Sequence, residues 1–247
     1  MHPDELAIDA SLVRRLLSVQ FPHFAHLPLI PIPSSGTDHA LFRLGDDMVV
    51  RMPRIHWATG QAELERRWLP RLAPHLPLAV PVQLAMGEPD AGYPWPWAIY
   101  RWLEGESAID NPTADTDRTA TDLARFIRAL QAADPTDGPA ADAVTGGRGA
   151  PLAARDADTR DAIARSRGLV DIDGVIAAWE NALHARAHDG PPVWIHGDLE
   201  PGNLLLRDGR LTAVIDFCCL CLGDPAVDLI PAWSVFSGEA RAAFRSA

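Results

Sequence analysis

Three residues in the last third of the 247-residue chain have the types and spacing suited to moving a phosphoryl group. In Trp194-Ile195-His196-Gly197-Asp198-Leu199-Glu200-Pro201-Gly202-Asn203, a carboxylate at Asp198 is followed five residues later by the amide of Asn203. A carboxylate so placed can accept a hydrogen bond from an attacking hydroxyl and aim it in line with a phosphorus. The amide offers a neutral oxygen to Mg²⁺ without competing for the proton. Taken alone, this segment also fits an acidic turn between two strands. Asp216 stands thirteen residues after Asn203, closing the apolar run Ala213-Val214-Ile215 and preceding Phe217. Hard divalent cations favour a carboxylate together with phosphate oxygens. An aspartate at a strand end is also a common turn cap. The pieces gain specificity from their order: the histidine-glycine-aspartate turn, the amide, a hairpin, and then Asp216-Phe217.

The elements that must position these residues can be read from periodicity. Val193–Ile195, Asn203–Leu206 and Leu211–Asp216 are expected as short strands, with Asp208-Gly209 as the hairpin turn that returns Asp216 towards Asn203. Upstream, Asp9–Val19, Gln61–Ala73, Thr119–Ala132 and Asp173–Ala187 carry apolar residues at helical spacing. Ala40–Leu44, Met48–Met52, Val80–Val82 and Trp97–Tyr100 read as strands, and Pro28–Pro33 as a proline-rich passage. Asp134–Arg155, rich in Pro, Gly, Ala and Asp, reads as a loop. The composition changes from β-rich to Ala/Leu/Arg-rich helical near Arg101–Gly105.

The formal charge is −11, from 33 acids against 22 bases, and every one of those bases is arginine. That balance argues against a nucleic-acid partner, whose phosphates need clustered cations. It suits a cationic small substrate, and equally a surface charged for solubility. No apolar run approaches the roughly 20 residues that span a bilayer. The N-terminus lacks the basic start and apolar block of a signal peptide. The crowded Cys218, Cys219 and Cys221 make a poor disulfide framework or metal cluster and suit reduced thiols. A cytoplasmic protein without membrane partners is expected.

Between about Leu29 and Trp233 the chain resembles the aminoglycoside phosphotransferase family of protein-kinase-like small-molecule kinases. The resemblance is most specific at the segment His196–Asn203, at Val214–Phe217, and at Gly223-Asp224-Pro225-Ala226-Val227-Asp228-Leu229. It implies an α+β, two-lobed fold: a small antiparallel β lobe over 1–100, a hinge over 101–106, and a mainly helical lobe over 107–247. It further implies transfer of the ATP γ-phosphate to a hydroxyl of a small molecule, an aminoglycoside among the candidates. The alternative is a nucleotide-binding protein of the same fold without transfer activity. By the resemblance Asp198 is the catalytic base, Asn203 and Asp216 hold Mg²⁺, and Asp228 and His196 support the loop. Ser34–His39, with Ser35 and Gly36 at its centre, corresponds to the loop over the ATP phosphates. Arg51 stands where a phosphate-binding lysine is usual, with Glu65, or Glu63, as its helix partner. Trp102 and Leu103 fall at the adenine-binding hinge. The chain departs from the pattern at Arg51, at Cys218 in place of the glycine after Asp-Phe, and at Ala247, before the further helices expected of the larger lobe. A hydrolase using Asp198 and His196 has no Gly-x-Ser-x-Gly elbow to support it.

Overall fold

A computed structural model of the chain describes residues 5–33, 38–111, 114–141 and 147–247. Helix α1 (Ala10–Gln20), capped by the Asp9 carboxylate accepting from the Leu12 N–H at 2.7 Å, lies over an antiparallel sheet. The sheet has five strands in the order β1-β2-β3-β5-β4: β1 (Leu29–Ile32), β2 (His39–Leu44), β3 (Met48–Pro53), β4 (Gln83–Gly87) and β5 (Trp97–Arg101). Period-two alternation divides its faces. Ala40, Phe42, Leu44, Met48, Val50, Met52, Trp97 and Ile99 form one core with Val13, Leu16 and Leu17 of α1. The registers Leu41↔Arg51 and Arg51↔Ala98 put Arg51 and Tyr100 on the opposite face.

Two sheet features differ from the sequence expectation. The proline-rich passage contains β1, because Pro31 sits on an edge strand where its missing N–H costs no interior ladder bond. The strand expected at Val80–Val82 starts instead at Gln83. Pro81 has no N–H to donate, and upstream of it Ala79 forms a lone parallel bridge to Ala213.

The second core joins α2 (Gln61–Leu72), α3 (Asp117–Gln131), β7 (Val193–Ile195), β8 (Leu204–Arg207), β9 (Arg210–Val214) and the C-terminal helices α6 (Pro231–Ser234) and α7 (Gly238–Ser246). Its centre holds Trp68, Phe126, Trp194, Phe217 and Phe236, all buried. Thr116 caps α3 by accepting the Thr119 N–H, and α3 then buries Leu123, Phe126, Ile127 and Leu130. Strand β6 (Glu106–Ser107) pairs with β8, and β10 (Cys221–Gly223) with β7. The β8–β9 hairpin turns at Asp208 (φ 51°) and Gly209 (φ 70°), both left-handed as a tight hairpin demands.

Helix α4 (Asp156–Arg165), which has no clear apolar stripe, and α5 (Ile172–His184) form an outlying pair. α5 carries the expected apolar residues, yet none is buried, and Val175 and Ile176 stay exposed. Its Trp179 donates its indole N–H to Asp156 at 2.7 Å. Among the described residues no helix is long and apolar enough to cross a membrane.

Candidate active site

The loop after β7 is held from beneath by a buried carboxylate. Asp228 accepts the His196 N–H and the Gly197 N–H, both at 2.8 Å, one on each oxygen. Burial nevertheless pushes the Asp228 carboxyl up to about 6, against the pull of these two donors. The His196 ring is buried and held down to about 4 by desolvation, so it is neutral at physiological pH. Its Nδ1 accepts the Asp198 N–H (3.2 Å), which assigns the donor role to Nε2, 3.1 Å from the Ile215 carbonyl. The imidazole is therefore a strut between the loop and the end of β9, and both of its nitrogens are used.

Asp198 emerges from this support with each oxygen engaged. Asn203 donates its Nδ2 to the Asp198 carbonyl (2.8 Å) and to Oδ2 (3.2 Å), while Arg148 reaches Oδ1 at 3.1 Å. Burial raises the Asp198 pKa, with Arg148 opposing. The Ile215 N–H donates to the Asn203 carbonyl at 2.9 Å, so Asp216 begins one residue from the loop. Asp216 has φ 63°, a left-handed value that aspartate tolerates better than most residues and that turns its side chain out of the strand path.

Across the cleft, Arg51 spans two carboxylates. It meets Asp216 Oδ1 at 2.5 Å, Glu65 Oε1 at 2.9 Å and the Gln61 amide oxygen at 3.1 Å. Burial works against the arginine's charge, but Asp216 and Glu65 outweigh it and raise its pKa. Burial likewise opposes ionisation of Asp216, but Arg51, by charge and hydrogen bond, holds it below the usual carboxylate range. Glu65 is the fully buried partner: it also accepts the Tyr100 hydroxyl (2.5 Å) and the Phe217 N–H (3.2 Å). Glu63, the alternative, makes no such bond to Arg51. His39, at the head of β2, is kept neutral by burial and by Arg51.

Residues 30–247 match the phosphotransferase enzyme family. The chain belongs to this family.

Solved phosphotransferases share the α+β, two-lobed fold. The GDP and kanamycin complex of APH(2")-IIia superposes with a TM-score of 0.78 at 20% identity, covering 95% of this chain and 81% of that one. The streptomycin–ATP complex of APH(2")-IIa gives 0.66 at 19% identity, covering 98% and 82%. The macrolide 2'-phosphotransferase MphH from Brachybacterium faecium gives 0.64 at 25% identity, covering 94% and 81%. No curated protein matches the chain.

Within this phosphotransferase, Asp198, Asn203, Asp216, Arg51 and Glu65 are brought to one cleft. Ser35 and Gly36 lie outside the described residues. Trp102 and Leu103 follow β5 directly, but the Trp102 N–H is taken by the Asp47 carbonyl at 2.7 Å. The Trp102 indole is covered by the Arg43 guanidinium, 4.0 Å above its ring. Of the backbone N–H groups of Trp102 and Leu103, Leu103's alone has no protein acceptor among the described residues. The cysteines are reduced, with Cys218 and Cys219 sulfurs 3.5 Å apart and only Cys221 fully buried.

Asn203 and Asp216 suit a hard cation. The Asn203 NH₂ is spent on Asp198, which leaves its carbonyl oxygen to act as a ligand, and Asp216 is ionised with Oδ2 clear of Arg51. No group of three His, Cys, Asp or Glu residues placed to hold a metal ion exists among the described residues, so a metal here would depend on substrate oxygens and water to complete its shell.

Sequence reasoning missed Arg148, which lies inside the stretch read as a plain loop. The signal available was its setting, Gly147-Arg148-Gly149, a side chain between two glycines.

Proposed function

We propose that the chain is an ATP-dependent kinase that phosphorylates a hydroxyl of a small molecule. The observation that carries this reading is the junction of the two motifs. The Asp198–Asn203 loop is hydrogen-bonded to Ile215, and Asp216, the next residue, faces Arg51 and its buried Glu65 partner. A base, two metal-type oxygens and a phosphate-type cation so arranged serve in-line transfer by positioning and charge neutralisation.

In the reaction the acceptor oxygen bonds to the γ-phosphorus as the bond from that phosphorus to the β,γ-bridging oxygen breaks, and ADP leaves. The hydroxyl proton passes to the Asp198 carboxylate, whose raised pKa makes it the better acceptor. Arg51 meets the nucleotide phosphates by its planar fork, with Glu65 fixing its direction. Asn203 and Asp216 would hold Mg²⁺, which supplies charge neutralisation at the phosphate oxygens. The backbone at Leu103, with the segment 101–106 as hinge between lobes 1–100 and 107–247, would receive the adenine. An aminoglycoside or a macrolide is the acceptor class suggested by the similar kanamycin and streptomycin complexes and by the similar macrolide 2'-phosphotransferase.

A second reading, nucleotide binding without transfer, draws on one contact: Arg51 sits 2.5 Å from Asp216 and takes up an oxygen that a metal could use. ADP release with Mg²⁺-ATP, measured across aminoglycosides, macrolides and small amino alcohols with Asp198→Ala as control, separates the two. Acceptor-dependent release that vanishes in the control supports the kinase. Nucleotide binding with no release for any acceptor supports the second reading.

A further inference from the structure

The segment His196–Asn203 contains no lysine or arginine, and its Glu200 adds a further negative charge beside Asp198. The countercharge comes from a distant part of the chain. Arg148 lies between α3 and α4, and its guanidinium grips the loop at two consecutive residues: Nη1 donates to the Gly197 carbonyl at 3.0 Å and Nη2 forms an ion pair with Asp198 Oδ1 at 3.1 Å. Asn203 holds the other oxygen, Oδ2, at 3.2 Å. With a hydrogen bond on one oxygen and an ion pair on the other, both ends of the carboxylate are tied.

The turn that presents Arg148 is built for the purpose. Ala150 donates its N–H to the Gly147 carbonyl (3.3 Å), closing a four-residue turn with Gly149 at φ 76°. A Cβ on Gly149 would stand 2.3 Å from Ile195 Cδ1, and one on Gly223 would stand 2.9 Å from the Gly149 carbonyl oxygen. The backbones of the turn and of β10 therefore meet directly, and Asp224 locks them by donating its N–H to the Gly149 carbonyl at 2.9 Å. A Cβ on Gly197, at φ 78°, would stand 2.8 Å from Cys219 Cβ and 3.3 Å from Arg148 Cβ, so glycine fits the loop closely between the two. An ordinary surface ion pair has none of this backbone support.

We propose that Arg148 is the positioning residue of Asp198, orienting the carboxylate that receives the acceptor's proton. The inference rests on the kinase reading for its catalytic consequence, and on the contacts alone for its structural one. Two measurements on the full chain test it. In steady-state kinetics, Arg148→Ala lowers kcat by about 10- to 100-fold, the scale of a misplacement near 1 Å, while KM for the nucleotide stays within about twofold. Arg148→Lys restores part of kcat, and Arg148→Ala adds no further loss to Asp198→Asn, because two residues acting as a unit are non-additive. In hydrogen exchange, the amides of residues 197–199 exchange about tenfold faster in Arg148→Ala, with those of α3 unchanged.

A loss confined to nucleotide KM, an independent loss in the Asp198→Asn background, or unchanged exchange at 197–199 overturns the proposal. Should the wild-type chain release no ADP, the kinase reading fails and the exchange measurement still decides whether Arg148 holds the loop. If Arg148→Ala does not fold, Arg148→Gln and Arg148→Lys carry the same comparison.

Discussion

Asp198 shows how little of a side chain's placement is its own. Its backbone N–H is fixed by a neutral histidine, its two oxygens by Asn203 and Arg148, and the peptide before it by Asp228. Replacing Asp198 with Asn is expected to cut kcat by about 10²- to 10⁴-fold, the usual share of a positioned base, with nucleotide affinity nearly unchanged by calorimetric titration. The supporting pair His196 and Asp228 makes a separate prediction about stability. His196 falls from 6.5 to about 4 on folding, so the unfolded chain binds its proton first and stability drains away as pH drops from about 6.5 to about 4. Asp228 rises from 3.8 to about 6, so its contribution improves as pH drops through about 6 towards 4. The two effects, each on the order of 3 kcal/mol, oppose one another between about pH 4 and 6. Asp228→Asn removes only the second, and urea melts of that variant should lose stability more steeply with acid than the wild type does.

At the scale of elements, the site depends on strands that return chain segments to one place. The Asp208-Gly209 turn brings Asp216 back beside Asn203, and α2 inserts Glu65 between Arg51, Tyr100 and the Phe217 N–H. Because all three of its partners are fixed, Glu65→Ala should leave Arg51 with Asp216 as its single carboxylate partner, beside the Gln61 amide, and weaken nucleotide binding. A drop of about tenfold or more in affinity is expected for a buried, hydrogen-bonded charge pair, and an unchanged affinity would remove Glu65 from the site. The sheet has its own point of tight fit at the β4–β5 pair. A Cβ on Gly87 would fall 2.1 Å from Trp97 Cε2 in the middle of the core. Gly87→Ala should therefore destabilise the sheet by about 1–3 kcal/mol, read from the urea midpoint.

At the scale of the whole molecule, two cores meet across a cleft bridged by Arg51 and Asp216, residues 165 positions apart. A ligand that engages both sides should raise the melting temperature. Mg²⁺-ATP at about 100 times its Kd contributes about 2.7 kcal/mol, and Asp216→Asn should lose the part of this shift that depends on Mg²⁺ while keeping the metal-free part. A melting shift in Asp216→Asn identical to the wild type with and without Mg²⁺ would exclude Asp216 as a ligand. The outlying α4–α5 pair stands apart from both cores, since no residue of α5 is buried.

The chemistry-bearing order of residues 196–216 was legible in the sequence because it is local: fixed spacing, a two-residue hairpin turn and an apolar strand leave few alternatives. The same holds for the alternating faces of β2 and β3 and the apolar stripe of α3, where period alone selects the element. Glu65 was read as the partner of Arg51 with Glu63 as the alternative on the same helix, and the folded position of α2, which sets Glu65 against Arg51 and Tyr100, decides between them. β1 was hidden by its prolines, which become acceptable only once an edge position exists. Arg148 was hidden most deeply. Its contact with Asp198 spans fifty positions and depends on two backbones touching at Gly149 and Gly223, a proximity that no pattern of residue types encodes. Sequence alone determined the family and the order of its candidate site residues, through short-range spacing. The tertiary structure decided how those groups are held, because orientation depends on long-range contacts that form only when the cores pack.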